Sequence, residues 1–482
     1  MKRVVFARLA PWMGVSYPHP QDAPYACDIA QAAALLDPAR EKVTLVDGVV
    51  EPFNVNLILQ RIVAVNPQVL ALTVTTSAEH FATELFNRIK RELPGLYIIG
   101  FGQHPHYSPQ TFLNESFQID ACVHGEPDAT LAELIQETPR NPAEKERVKG
   151  IYYWDNELRK TPERPLVTDL DQWPMPRYDL FKNHDYRIVS INFPSFRNLK
   201  PGWVLASRGC PYPCTFCSPA IRRSFGKQIR RISPARVADT FELLEKDLGI
   251  NTIYFADDVF SMDMEWADAI CEELIKRENK IQWGVATRVD RLTSELIKKM
   301  RAAGLRTVSV GVESGSERVL KDIRKGITLE QIRWALSQFE ENGISVNTTV
   351  IVGHVDETLD ELTQTFSFLK KSTTLFPQLH YLSPYPGTKV AQVFQERLGA
   401  VDGISHFNGS PINVSKIPDE VLAGSVQKFY LKYFTSWSFI KKYIRHRVPY
   451  ALSNPIKEVM LVKDSLAYML LSGREARTNN TS

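Results

Sequence analysis

No stretch of this chain is long and apolar enough to span a bilayer, so no membrane-crossing helix is expected. Net charge is nearly absent as well: 58 Lys and Arg against 55 Asp and Glu leave +3, and no basic surplus points to a nucleic-acid partner. Nucleotide fingerprints are missing. No Gly-x-Gly-x-x-Gly follows the first apolar run, and no Walker-type lysine closes a glycine-rich loop. The opening Met1-Lys-Arg-Val-Val-Phe-Ala-Arg-Leu9 starts basic but lacks the apolar core and small-residue cleavage site of a leader, and reads as a first buried strand. Cysteine is scarce, at six in 482 residues, which gives no disulfide framework; the cytoplasm is the expected location. What remains is globular in composition, 44% apolar and 23% charged, at a length that suggests two or three domains.

Three of the six cysteines fall within eight residues, Cys210-Pro-Tyr-Pro-Cys214-Thr-Phe-Cys217, directly after Gly202-Trp-Val-Leu-Ala-Ser-Arg-Gly209. Only thiolates bind metal, and three packed this closely repel one another unless cations neutralise them. Tetrahedral zinc would call for a fourth Cys or His nearby, yet the next candidates in sequence are His184 and Cys271. A disulfide with a spare thiol would need an oxidising compartment, of which the chain carries no sign. Pro211 and Pro213 could alone mark a plain turn. An iron–sulfur cubane suits the spacing best, since three cysteines on four irons leave one metal position open. Cys27, Cys122 and Cys271 are scattered and read as small core residues.

Residues 1 to about 145 alternate short apolar runs with amphipathic ones, the pattern of a parallel sheet flanked by helices. Strands are expected over 3–9, 42–46, 69–74, 97–101 and 120–123, with helices over 27–36 and 80–92. Ligands of such folds lie beyond the carboxyl ends of the strands, here Leu72-Thr-Val-Thr-Thr-Ser77, Gly100-Phe-Gly-Gln-His104 and His124-Gly-Glu-Pro127. Pro162, Pro165, Pro174 and Pro176 then mark an extended connector over 150–200. From 202 to about 388, apolar runs at 203–206, 252–255, 282–286, 307–312, 345–352 and 379–382 alternate with amphipathic helices. Six such units fit a partial β/α barrel, with functional residues at the carboxyl ends of its strands. The expected division is 1–149, 150–200, 201–390 and a mostly helical 391–482.

Cys-x3-Cys-x2-Cys after a short apolar strand resembles the radical S-adenosylmethionine (SAM) enzymes. The Gly100-Phe-Gly-Gln-His104 and His124-Gly-Glu126 strand ends, with Leu170-Asp-Gln-Trp-Pro-Met-Pro176, resemble the branch of that family with a cobalamin-binding domain before the catalytic one. The resemblance implies an α/β architecture: a doubly wound, Rossmann-like cobalamin-binding domain, then a partial (β/α)6 radical SAM barrel and a helical tail. It implies a 4Fe-4S cluster on Cys210, Cys214 and Cys217, with SAM and cobalamin as further cofactors. Carried over by motif, Asp257 or Asp258 lies near the methionyl amine, Arg288 near the carboxylate, and Glu313 with Ser314 near the ribose or carboxylate. Adenine meets backbone at 352–353 and 383–385, which enlists Gly353 and Tyr385. The corrinoid is assigned Thr73, Thr75, Thr76, Ser77, Gly100, Gly102, His104, Gly125 and Glu126.

Two stretches depart from the family pattern. The Asp-x-His-x-x-Gly that supplies a lower axial ligand elsewhere is missing from Leu9-Ala-Pro-Trp-Met-Gly-Val-Ser-Tyr-Pro-His19, so no histidine is expected below the cobalt; His19 would serve only in an unusual geometry. The family's Gly-x-Pro-Gly-Glu-Thr reads Gly353-His-Val-Asp-Glu-Thr358, which leaves His354 either facing substrate or as an ordinary loop residue.

The resemblance further implies that one electron from a donor such as flavodoxin or ferredoxin cleaves SAM to a 5′-deoxyadenosyl radical. That radical takes hydrogen from an unactivated carbon of a small molecule, with methylation from methylcobalamin as the expected outcome. Cyclisation, ring rearrangement or oxidation with the same cofactors is not separated from it by any residue. A first domain that binds nothing stays open, as does a non-catalytic iron–sulfur electron carrier or redox sensor, although a carrier has no use for carboxylates and an arginine at the strand ends. Residues 421–450 hold six Lys or Arg, no acid and many aromatics. They either lie on a membrane surface or over an apolar substrate, which points to a hydrophobic one, or they pack on their own barrel. Arg222, Arg223, Lys227, Arg230 and Arg231 either anchor an anionic or corrinoid ligand or form a solvated face.

Overall fold

Val4, Val5, Phe6 and Ala7 are consecutive and fully buried, as a strand covered on both faces requires. They form β1 (Lys2–Arg8) of a seven-stranded sheet in this computed structural model, which describes residues 1–10, 24–50, 54–186, 199–217, 225–398 and 413–451. β1 lies between β2 (Glu41–Asp47) and β3 (Val69–Thr73), and β4 (Tyr97–Phe101) and β5 (Ala121–Val123) extend the sheet, all parallel. The order β2-β1-β3-β4-β5 is doubly wound and changes direction between β1 and β3, so the carboxyl ends of the strands border a crevice. Helices α1 (Cys27–Ala34), α2 (Val55–Val65), α3 (Glu79–Glu92), α4 (Gln103–Tyr107) and α5 (Pro127–Glu137) connect them.

The sheet then continues where a connector was expected. β6 (Ile151–Asp155) and β7 (Glu157–Lys160) add an antiparallel hairpin turned at Asn156, whose φ of 56° suits asparagine. Beyond it the proline-rich segment is pinned down by aromatic contacts. Tyr25 stacks on Phe181 at 4.3 Å and meets Tyr186 at 4.7 Å and Trp203 at 5.2 Å, which ties the first sheet, the connector and the barrel together.

β8 (Pro201–Val204) opens the second sheet, and a short hairpin of β9 (Ser207–Arg208) and β10 (Arg230–Arg231) brackets the cysteine loop. β11 (Thr252–Phe255), β12 (Gln282–Thr287), β13 (Leu305–Glu313), β14 (Ser345–Val352) and β15 (Phe376–Tyr381) follow in parallel, in the order β8-β11-β12-β13-β14-β15. This is the open partial barrel of six strands. Its helices start at legible caps: Ser233 accepts from the Arg236 amide, and Thr328 with Gln331 and Thr358 with Glu361 form capping boxes.

An open barrel leaves β15 with an unpaired edge, a liability that the tail covers. Helix Asp419–Phe434 lies there: Tyr430 Oη accepts from the Leu379 amide at 2.9 Å, Tyr433 Oη donates to the Thr374 carbonyl, and Phe429 stacks on Phe366 at 4.6 Å. Helix Trp437–Ala451 continues it, with Lys442 Nζ 2.5 Å from the Ser372 carbonyl. Of the two readings of the tail, packing on the barrel describes Phe429, Tyr430 and Tyr433, which are buried. No described helix is long and apolar enough to cross a membrane. His19, Arg222, Arg223 and the polar end of the chain from Ser472 lie outside the described residues.

Candidate cofactor sites

Gly209 turns the chain from β9 into the cysteine loop at φ +98°, where a Cβ would collide with the Gln228 carbonyl oxygen. The loop is held from both sides: the Cys210 amide donates to the Gly226 carbonyl (3.3 Å), the Thr215 amide to that of Ile323 (3.0 Å), and Cys214 Sγ lies 3.8 Å from that of Arg324. None of the three cysteines is in a disulfide, and all are half-buried. Burial raises each thiol, Cys217 to about 12, and the neighbouring Cys214 and Cys210 raise it further. Such a trio becomes thiolate only with positive charge supplied between its members, which is what an iron–sulfur core does. No three described Cys, His, Asp or Glu converge as a single-ion site requires. A cubane takes each thiolate on a different iron, so the donor set fits a cluster better than a lone zinc.

Beside the loop, at the carboxyl ends of the strands, sits a charged group that the sequence showed only in part. Arg288 bonds Asp290 (2.9 and 3.3 Å) and the Lys325 carbonyl (2.7 Å), and its guanidinium lies 3.5 Å from the ring centre of Tyr212, inside the cysteine motif. Glu313 pairs with Lys325 at 2.7 Å across Gly311, where any Cβ would sit 2.5 Å from the carboxylate and 2.8 Å from the ammonium. Asp258 opens beside Cys210 and Cys217, which feel its charge, and desolvation raises its carboxyl to about 6. Tyr212 and Lys325 lie outside the expected contacts, and Asp290, at the same strand end as Arg288, carries no expected contact of its own. The aromatic residue between two cysteines was a usable signal for Tyr212; Lys325 lies 108 residues beyond Cys217.

The remaining expected SAM contacts divide between the interior, with Asp257 and Ser314, and the rim, with Gly353 and Tyr385. Asp257 is buried behind β8, accepting from the Ala206 amide (2.8 Å) and the Ser207 hydroxyl, and burial raises it to about 7. Ser314 is fully buried against Thr365 (3.2 Å), where it shapes the turn after β13. Gly353, at φ +76°, donates to Glu357 (2.7 Å), and Tyr385 is half-buried in the turn after β15; both flank the mouth. His354 is buried against the Glu313 carbonyl (3.3 Å) and pushed down to about 4 by desolvation, so it serves the turn.

On the first sheet, the strand ends close tightly. A Cβ on Gly102, at φ +96°, would lie 2.7 Å from Thr73 Oγ1, and one on Gly100 3.0 Å from Ile119. Thr75 and Ser77 share a hydroxyl bond (3.2 Å), Thr76 keeps a buried Oγ1 without a protein partner, and Gly125 at φ +79° faces open space. Small residues and an unsatisfied hydroxyl at a switch point fit a bulky ligand with hydrogen-bonding edges, as a corrinoid has. Two expected contacts turn away. His104 Nε2 bonds Thr111 (2.9 Å) against Phe112, and burial pushes it to about 4. Glu126 points at the barrel, into Arg208 (2.7 Å) and Arg230 (2.9 Å). Of the basic run after the cysteines, Arg230 is therefore buried and Arg231 pairs with Asp263, while Lys227 is exposed.

Comparison with known proteins agrees with both halves. The Radical SAM superfamily model matches residues 204–369 and the B12 binding domain model residues 25–135. The chain is 32% identical over 72% of its length, and 74% of the relative's, to "Uncharacterized methyltransferase PH0819" of Pyrococcus horikoshii. It is 27% identical over 83% of its length, and 71% of the relative's, to the anaerobic magnesium-protoporphyrin IX monomethyl ester cyclase of Rubrivivax gelatinosus. The solved structure of the cobalamin-dependent SAM radical enzyme OxsB with aqua-cobalamin bound covers 98% of this chain and 72% of its own, with a TM-score of 0.71 at 20% identity. The chain belongs to the radical SAM enzymes that carry a cobalamin-binding domain, whose cofactors are a 4Fe-4S cluster, SAM and cobalamin.

Proposed function

We propose that this protein transfers a methyl group to an unactivated carbon of a small-molecule substrate. The observation that carries the proposal is the seat of three thiols at a barrel mouth beside a glycine- and hydroxyl-lined strand-end face, in a chain similar over most of its length to a named methyltransferase. When bound, the cluster and SAM supply a hydrogen-abstracting 5′-deoxyadenosyl radical and the corrinoid supplies the methyl group. The chain's part is to hold and orient. Cys210, Cys214 and Cys217 seat the cluster; Asp258, Arg288 and Glu313 are the charges available to the amino-acid and ribose parts of SAM; Gly353 and Tyr385 offer backbone to adenine. Arg288 is engaged by Asp290, so carboxylate binding would exchange one partner for another. Thr75, Thr76, Ser77 and Gly125 are assigned to the corrinoid.

A low-potential donor of the flavodoxin or ferredoxin type supplies the electron, and a cytoplasmic location is part of the same proposal. Because the buried tail aromatics are occupied by the barrel, they no longer argue for a hydrophobic substrate. A peripheral membrane contact would form on the outer face, where Leu431, Trp437 and Ile444 are exposed near Lys428, Lys432 and Lys441. Cyclisation is the second reading, favoured by the similarity to the cyclase.

The test is anaerobically reconstituted holoprotein given methyl-labelled SAM, reductant and cell extract. Methylation predicts 5′-deoxyadenosine together with label in an acid-stable carbon-bound product. Deoxyadenosine without label would favour cyclisation or oxidation, and neither product would favour a carrier.

A further inference from the structure

Arg208 stands two residues before Cys210, yet its side chain belongs to the other domain's surface. Its Nη1 donates to Glu126 Oε1 (2.7 Å) and Asp128 Oδ2 (2.6 Å), and its Nη2 to Asp128 Oδ1 (3.0 Å). Arg230, its partner across the β9–β10 hairpin, donates to both Glu126 oxygens (3.0 and 2.9 Å) and to the carbonyls of Val167 (2.7 Å) and Phe225 (3.1 Å). All four side chains are buried, Asp128 completely. The charges balance at two acids against two bases. The acids also sit at the start of α5, where the helix dipole favours negative charge. Arg208 lies between the rings of Trp173 and Phe225, 5.0 and 5.5 Å from their centres.

Burying four charges is a poor way to make two domains adhere, because a well-packed apolar patch of equal area does that without the desolvation penalty. What paired guanidinium forks add is one permitted orientation. Here that orientation is passed on. Gly209 links Arg208 to Cys210 through a turn no side chain can enter, and the Cys210 amide is bonded within the same hairpin. On the other side, Gly125, assigned to the corrinoid, is covalently next to Glu126. The corrinoid face, the latch and the first cluster ligand are thus successive neighbours.

We propose that Arg208, Arg230, Glu126 and Asp128 are positioning residues that latch the cysteine loop to the cobalamin domain, so that occupancy of one cofactor site steadies the other. This rests on the family's two cofactors binding here. Linkage makes such coupling reciprocal at equilibrium: cobalamin must strengthen retention of the cluster by the factor by which the cluster tightens cobalamin.

The experiment uses the full chain, reconstituted anaerobically with iron and sulfide, with and without hydroxocobalamin. The concentration of a ferrous chelator that removes half of the cluster's visible absorbance at equilibrium, and the dissociation constant of hydroxocobalamin, are both measured. Wild-type protein is expected to show a coupling factor of about fivefold or more in both directions. In Asp128→Asn and in the charge-conserving Arg208→Lys the factor falls toward one, while each variant still takes up iron and corrinoid singly. Arg88→Gln, at the Arg88–Glu84 pair within α3, keeps the wild-type factor. A wild-type factor of one, or an unchanged factor in either latch variant, overturns the proposal. Wild-type protein that retains no corrinoid at all overturns the cobalamin assignment and the latch together.

Discussion

Glu357 is fully buried in the turn after β14, where its Oε2 accepts from the amides of Gly353 (2.7 Å) and His354 (3.2 Å) and its Oε1 has no partner. Burial raises its carboxyl to about 7. The folded value lies above the ordinary value of about 4.3, so between the two the fold holds a proton that the unfolded chain has released. Its contribution is therefore lost as pH rises from about 4 to 7. Asp257, raised to about 7 behind β8, has the same sign. Glu357→Gln keeps the acceptor and removes the ionisation. Its denaturation midpoint is expected to fall less than that of wild type between about pH 5 and pH 7.5; equal slopes would assign the proton elsewhere. Residues of this kind show where sequence reading stops. Carboxylates and hydroxyls at strand ends were visible, but which face the mouth was not, because Asp257 is claimed by Ser207 and Ser314 by Thr365, each about fifty positions away.

Elements were far more legible. The first-sheet strands expected at 3–9, 42–46, 69–74 and 97–101 match β1 to β4 within a residue: β1, β3 and β4 carry apolar runs buried on both faces, and β2 at the sheet edge keeps Val43, Leu45 and Val46. The β6–β7 hairpin was hidden by the prolines after it, although Ile151-Tyr-Tyr-Trp followed by Asp155-Asn156 carried the signal of a strand entering a tight turn. The turn at Gly209 makes a prediction at this scale. Gly209→Ala leaves all three cysteines in place but adds a Cβ against the Gln228 carbonyl and demands a positive φ, a strain of about 1–3 kcal/mol. Iron content after anaerobic reconstitution is expected to drop well below wild type. Full iron retention would show that the cluster does not depend on that turn.

At the scale of the whole molecule, two sheets are joined by a shared aromatic cluster and a buried ionic one, and the tail closes the barrel's open edge. Tyr430→Phe strips the acceptor from the Leu379 amide on β15 and leaves a buried donor unmet, which costs about 1–3 kcal/mol. A lowered denaturant midpoint checks it; an unchanged one would mean the edge finds another cover. None of this inter-element bonding was legible, because the partners are separated by 80 residues between Arg208 and Asp128 and 51 between Tyr430 and Leu379. The central claim is chemical, and one assay reaches it directly. Anaerobically reconstituted wild-type protein, given SAM and dithionite, is expected to hold roughly four irons per chain and release 5′-deoxyadenosine, while Cys217→Ala does neither in full. A Cys217→Ala protein that keeps its complete iron and cleaves SAM at the wild-type rate would contradict the account.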